Sequence, residues 1–346
     1  MLKITVERQL GSYPVFIGYD LLSKAADIFQ MYKFSGRILL ISTPALEAQH
    51  RSYLHQILGT YRGRVFAKLI PKPEAALNLN TISEVLSFLV KNEFDQNSAI
   101  LSFGGNAIHA IAGFAARLFL NEIAFVPITC SLLADVDAAI KPKVWLIHDD
   151  SPDRVSQYYL PTFAWVDLNF LEGQPKERLT AGLIEAIRIA IIWDRSLFEF
   201  IEQNLAAFYG LEMKSLLFLV HRVNAIKADI LSKFRERTSA AKYLNFGKII
   251  TSVLLRHQEN WEISPLEAAY LGPFIESVLA CRMGVFPANE YQRVEALWLR
   301  MGIKVGIGKI NFDILNQTVR QGGDHFEQFA FPSRIGEGIL VNRKEV

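Results

Sequence analysis

"SAILSFGGNAIHAIAGF", residues 98–114, decides how this chain folds. An uncharged, β-rich run ends at Gly104 and Gly105 and passes directly into a helical pattern of apolar residues. A strand that turns into a helix at glycines is the building unit of a parallel sheet flanked by helices. The same turn leaves backbone N–H groups at the helix start facing outward, where they can hold a pyrophosphate. Two glycines at such a turn are more often only a tight turn, so the stretch fixes an architecture and leaves the ligand open. His109, in the helix that follows, is expected to face solvent.

Working outward, "RILLIS" (37–42), "RVFAKLI" (64–70), "EIAFVPI" (122–128) and "FAWVDL" (163–168) read as further strands. "TISEVLSFLVKNEF" (81–94) and "AIHAIAGFAARLFL" (107–120) read as helices between them, and the opening "MLKITVERQLGSYPVFIG" alternates as a strand does. From about Lys176 the pattern changes to long apolar helical stretches, "ERLTAGLIEAIRIAIIWDRSLFEFIEQ" (177–203) and "MKSLLFLVHRVNAIKADILSKF" (213–234). The expectation is an α/β domain over 1–170 followed by an all-α domain over 171–346.

The chain has 346 residues, 51% of them hydrophobic, enough for two cores. A net charge of +2 without a run of Lys and Arg gives no reason to expect a nucleic-acid partner. The N-terminus lacks the basic and then unbroken apolar segments of a signal peptide, and no membrane partner is expected, so the cytoplasm is the default location. Two cysteines, Cys130 and Cys281, cannot build a disulfide framework or a zinc cluster.

Residues 104–143, "GGNAIHAIAGFAARLFLNEIAFVPITCSLLADVDAAIKPK", resemble the GGG, DxAGFAA, RGI, PTTLLA and VDSSVGGK segments of dehydroquinate synthases, without a gap. "LTAGLIEAIRIAI" (179–191) is similar to that family's AGLAEVIKYG, "IKADIL" (226–231) to its KAxVV, and "YLNFGKIITSV" (243–253) to its LNFGHTFGHA. The chain is identified on these segments as a member of the sugar-phosphate cyclases. The resemblance implies a Rossmann-like N-terminal domain for NAD, a helical domain for a divalent metal, and a homodimer. It also implies the chemistry: NAD transiently oxidises a substrate alcohol while the metal polarises its oxygen, so that phosphate leaves and a ring closes. The iron-dependent alcohol dehydrogenases share this architecture, but the LLADVD, LNFG and AGLIEA segments fit the cyclases better.

Carried over residue by residue, the resemblance places Asp137, Lys143, Glu185, Lys227 and Asn245 in the substrate region, with Arg188 a charge-conserving change on the Glu185 helix. Glu74, Gly104, Gly105, Asn106, Thr129 and Cys130 stand at the cofactor positions, although Asn106 replaces a third glycine. The metal ligands are where the pattern fails. Glu185 keeps the carboxylate position, but Lys248 and Pro265 replace the two ligand histidines and Ser252 replaces a third, substrate-facing one. A protonated amine offers no lone pair and proline no side-chain donor. The family's pattern also changes at Asn121, Lys141, Pro142, Pro152, Asp153, Phe234, Arg235 and Ala241, and several of its phosphate-directed donors are lost with it. Lys248 then has two readings: its ammonium fills the vacated volume and neutralises Glu185, or it serves as a base or Schiff-base residue. His148, His221 and His257 are the stand-in ligands to consider, and all three are expected to be ordinary. The combined expectation is a cyclase relative without its metal, with NAD possible and a small anionic, sugar-phosphate-like ligand possible.

Overall fold

The computed structural model describes residues 1–8, 11–140, 143–148, 151–233, 242–303, 307–321 and 328–345. Lys141, Pro142, Phe234, Arg235 and Ala241 lie outside the described residues, as do the side chains of Lys143, Pro152 and Asp153. The chain divides into two compact units, Met1–Gln174 and Pro175–Val346.

The first unit is a doubly covered sheet. Its strands are β1 (Leu2–Arg8), β2 (Gly11–Gly18), β3 (Ile38–Ser42), β4 (Val65–Leu69), β5 (Ala99–Gly104), β6 (Ala124–Thr129) and β9 (Ala164–Asp167), in the order β1-β2-β9-β6-β5-β3-β4. Every neighbouring pair is parallel except β1 with β2. Register shows why β3 and β5 read as unbroken apolar runs. Leu39, Ile100 and Phe125 lie side by side and enter one core, while Leu40, Leu101 and Val126, one residue on, enter the other. The helices are α1 (Ala25–Met31), α2 (Pro44–Gly59), α3 (Leu79–Lys91), α4 (Asn106–Leu118) and α5 (Leu132–Asp137).

A separate antiparallel hairpin, β7 (Lys143–His148) with β8 (Ser151–Tyr158), was not anticipated from the sequence. Its Val144 and Leu146 join the core around α4. One expectation about α4 is corrected. His109 does not face solvent; it is 6% exposed, because α4 is buried from Ala107 to Ala116.

The second unit holds α6 (Lys176–Trp193), α7 (Arg195–Tyr209), α8 (Met213–Lys233), α9 (Lys248–Arg256), α10 (Gln258–Trp261), α11 (Pro265–Arg282), α12 (Ala288–Arg300) and α13 (Phe312–Gln321). The long stretch 177–203 is two helices rather than one. Asp194 leaves helical geometry between them, and its carboxylate caps α7 by accepting the Leu197 N–H at 3.1 Å. A hairpin, β10 (Gln328–Arg334) with β11 (Glu337–Asn342), is added to this otherwise helical unit, with Phe329 and Phe331 buried.

Helices α9 and α11 cross at very close range. A Cβ at Gly272 would lie 2.0 Å from Thr251 Oγ1 and 2.2 Å from the Gly247 carbonyl oxygen. Gly247 itself has φ +77°, a left-handed conformation that glycine adopts without strain. Helix α11 opens with a capping box: the Ser264 hydroxyl accepts the Glu267 N–H at 3.2 Å, and Glu267 accepts the Ser264 N–H at 2.7 Å. Pro265 occupies the first helical position, where its missing N–H costs nothing.

Candidate functional site

In the helical unit, charge gathers on Glu185 of α6. Its side chain sits one turn from Arg188, and both residues are buried, 8% and 3% exposed. The Arg188 guanidinium grips the carboxylate with two N–H groups, Nε to Oε2 at 2.9 Å and Nη2 to Oε1 at 2.7 Å. Lys227 of α8, also buried, donates from Nζ to the same Oε1 at 2.6 Å. The third guanidinium nitrogen, Nη1, donates to the carbonyls of Leu244 at 2.7 Å and Phe246 at 2.9 Å. Arg188 thereby ties α6 to the turn that launches α9.

A second carboxyl group holds that turn from the other side. Glu276 of α11 is fully buried; its Oε2 accepts the Gly247 N–H at 2.6 Å and its Oε1 the Ile250 N–H at 3.4 Å. Helix α9 has no side-chain cap of its own, so a residue from α11 supplies one. Burial pushes the Glu276 pKa up to about 8, against the pull of the two N–H groups and of nearby Arg188. Sequence reasoning missed this residue. The available signal was a lone charge in the otherwise uncharged run from 268 to 281.

Glu185 is thus met by two cations, Arg188 and Lys227. Lys248 is half-buried at the first position of α9, its N–H donating to the Asn245 carbonyl at 2.8 Å, and Asn245 is half-buried in the turn before it. Ser252 returns its hydroxyl to the Ile249 carbonyl at 2.7 Å. His148 is exposed and His221 half-buried; His257 stacks on Trp261, ring centroids 4.8 Å apart, with Nε2 3.3 Å from Thr318 Oγ1. Among the described residues, no three His, Cys, Asp or Glu side chains gather in a way that could hold a metal ion. One carboxylate already engaged by two cations is a poor donor set for zinc or a similar ion, which takes three or four N, O or S ligands. The described residues do not fit a resident divalent metal.

In the first unit, the carboxyl ends of the parallel strands carry Ser42, Gly104, Thr129 and Asp167, the edge at which open α/β sheets bind ligands. Helix α4 begins at Gly105 with no side-chain cap, and a Cβ there would meet nothing within 4 Å. Asn106, at the first helical position, is exposed. Uncapped N–H groups facing open space fit the pyrophosphate of a dinucleotide.

Behind this turn, His109 Nδ1 lies 2.7 Å from Ser102 Oγ, and Nε2 has no hydrogen-bond partner among the described residues. Burial holds the ring neutral, its pKa lowered to about 4. Thr129 is fully buried, donating to the Trp165 carbonyl at 3.2 Å, and Cys130 is buried with its carbonyl accepting from Gln174 at 2.7 Å. Their side chains belong to the core, which leaves the backbone as the face either can show a ligand. Asp137 is buried at the end of α5, and Glu74 is exposed in the turn before α3. Asp135, unmarked in the sequence, is buried near Thr129 and Asp167, and burial raises its pKa to about 8. Asp167 accepts the N–H groups of Leu21 at 2.9 Å and Asn169 at 3.1 Å and the Tyr53 hydroxyl, so it staples the strand end rather than presenting a free carboxylate.

An α/β unit with an uncapped glycine turn at its strand ends, followed by a helical unit with a buried ionic centre, defines the class: two-domain proteins built on a Rossmann-like fold. Residues 67–181 match the 3-dehydroquinate synthase N-terminal family and residues 182–322 the 3-dehydroquinate synthase C-terminal family, so the chain belongs to the dehydroquinate synthase family of sugar-phosphate cyclases. It is similar to the 3-dehydroquinate synthase of Alkaliphilus metalliredigens, 27% identical over 354 aligned residues covering 100% of this chain and 97% of that one. In fold it is similar to 2-epi-5-epi-valiolone synthase from Streptomyces hygroscopicus, a structure with NAD+ and Zn2+ bound, at TM-score 0.86 and 20% identity over 99% of this chain and 97% of the other. A 2-deoxy-scyllo-inosose synthase complexed with carbaglucose-6-phosphate, NAD+ and Co2+ follows at TM-score 0.81 and 18% identity, covering 99% and 95%. No helix among the described residues is long and apolar enough to cross a membrane.

Proposed function

We propose that this chain is a dehydroquinate synthase-like protein that has lost metal-dependent cyclase chemistry and works by binding, as a pseudoenzyme or regulatory homologue. The observation that carries this reading is the state of Glu185. The carboxylate at the metal-ligand position is neutralised by Arg188 and Lys227, and the two histidine positions hold Lys248 and Pro265. In the family's reaction the metal supplies a Lewis acid at the substrate oxygen. This chain's own residues offer cations there instead, and cations bind an anion without supplying that step.

The ligand in this reading is a small sugar-phosphate-like anion, attracted by what remains of the substrate region in the helical unit: Lys227, Asn245 and Lys248. NAD is the second ligand, held at Gly104, Gly105 and Asn106 by backbone N–H groups at the start of α4. Like the family, the chain is taken as a cytoplasmic homodimer. A working cyclase with a rewired site is the competing reading, favoured by similarity to a 3-dehydroquinate synthase over the whole chain.

Metal analysis of the purified chain, together with cyclase assays on the heptulosonate phosphate substrate of the family with NAD and zinc, separates the two. The expected result is no retained metal and no turnover, with NAD binding visible by calorimetry. A tightly held stoichiometric metal accompanied by turnover would return the chain to the working cyclases.

A further inference from the structure

We propose that Arg188 is the residue that closes this site to divalent cations. The proposal rests on the reading that the natural chain holds no metal, and goes beyond it by naming what excludes one. The loss of two histidines explains weak binding; the geometry around Glu185 points to an active block. Nε and Nη2 of Arg188 meet the two carboxylate oxygens in a fork at 2.9 and 2.7 Å, and a cation approaching that carboxylate must displace charge-assisted, bidentate hydrogen bonds. Lys227 also donates to Oε1 at 2.6 Å, but it stands at a position the family keeps and Arg188 conserves charge, so the fork and not the number of cations is what sets this site apart.

The fork is itself pinned. Nη1 bonds the carbonyls of Leu244 and Phe246, so Arg188 cannot swing off Glu185 without leaving two carbonyl groups unpaired. A lysine at this position could do neither job. Its ammonium is a single point of charge on a flexible stem and cannot hold both oxygens of a carboxylate and two carbonyls in fixed geometry. Arg188 therefore acts as a specificity determinant: it selects an ion pair over a metal at Glu185, and it fixes the 244–246 backbone.

The test restores the missing imidazoles with and without the fork. In the full-length chain, Lys248→His and Pro265→His are combined, and Arg188→Lys is then added. Both histidines enter at the first position of a helix, α9 and α11, where no helix interior is disturbed. Zinc alone is the probe, with affinity from equilibrium dialysis and folding checked by circular dichroism. The double variant is expected to retain no more zinc than the natural chain, and the triple variant to bind one zinc per chain about 10- to 100-fold more tightly than the double. Zinc binding by the double variant as tight as by the triple overturns the proposal, as does a folded triple variant with no gain. If the triple variant does not fold, Arg188→Gln in the same background replaces it, with the same two outcomes decisive. Stoichiometric zinc on the natural chain sinks the reading under Proposed function, whereas a metal-free natural chain beside a zinc-loaded double variant sinks only this proposal.

Discussion

The turn at Gly104–Gly105 and the ionic centre at Glu185 belong to one ancestral design, yet they have fared differently. The first is made of backbone. Its N–H groups sit at the start of α4 whatever side chains follow, so Asn106 and Ala110 change its surroundings without removing the donors. The second is made of side chains, and its chemistry is only as good as the residue at each position. An amine and a proline ring in place of imidazoles offer no lone pair for a metal at those two positions. On the proposed function, a site assembled from main chain outlasts substitutions that disable one assembled from side chains.

The contrast can be broken most forcefully at Glu185. Glu185→Ala should leave Arg188 and Lys227 buried with no carboxylate between them, a loss of about 3 to 5 kcal/mol in urea unfolding. Lys248→Met, run beside it, should cost under about 1 kcal/mol, since Lys248 is half-buried and Glu185 keeps two cations without it. Equal losses would mean that Lys248 carries the neutralising role expected of it from the sequence.

Glu276 sharpens the comparison through pH. Its folded pKa, about 8, lies above its ordinary value of 4.5, so the folded state binds the proton more tightly than the unfolded one. Its contribution to stability is complete below about pH 4.5 and is lost as pH rises through about 8, with a slope of at most about 1.4 kcal/mol per pH unit. Denaturation curves from pH 5 to 9 should show this decline in the natural chain and a flatter profile in Glu276→Gln. An unchanged profile would mean that Glu276 is ionised throughout.

The smallest effect is expected at the backbone site. Gly105→Leu has open space around its new side chain and φ of −97°, so the melting temperature should hold. NAD affinity should fall about tenfold, or ~1.4 kcal/mol, because the side chain enters the space in front of the N–H groups. Unchanged affinity would remove the dinucleotide from this turn.

What the sequence disclosed follows the same division. Strands such as Ile38–Ser42 and Ala99–Gly104 were legible because a doubly covered sheet demands unbroken apolar runs. The Val144 hairpin was not, since its second strand, Ser151–Tyr158, is mostly polar; the burial of His109 was not either, since its ring turns to Ser102 of the sheet. The Asp194 break was hidden inside a continuous helical periodicity, where only the capping geometry reveals that the helix ends. At the site, the absent histidines were plain from the family resemblance, but the fork that Arg188 makes on Glu185 was not. Three-residue spacing allows Arg188 and Glu185 to meet, and it does not say that a fork will close or that the Leu244 and Phe246 carbonyls will brace it. Glu276 belongs to that hidden part as well, because its partners are backbone groups of another helix.

The crossing of α9 over α11 carries a consequence for everything mounted on it. Gly272 leaves no room for even a methyl group against Thr251 and the Gly247 carbonyl, so the spacing of the two helices is set by backbone contact and not by the residues facing away from it. Positions 248 and 252 are borne on that rigid joint like tools on a fixed handle. Their side chains can be exchanged for others of different chemistry while the platform beneath keeps its shape, which makes this corner a natural place to engineer a new ligand preference.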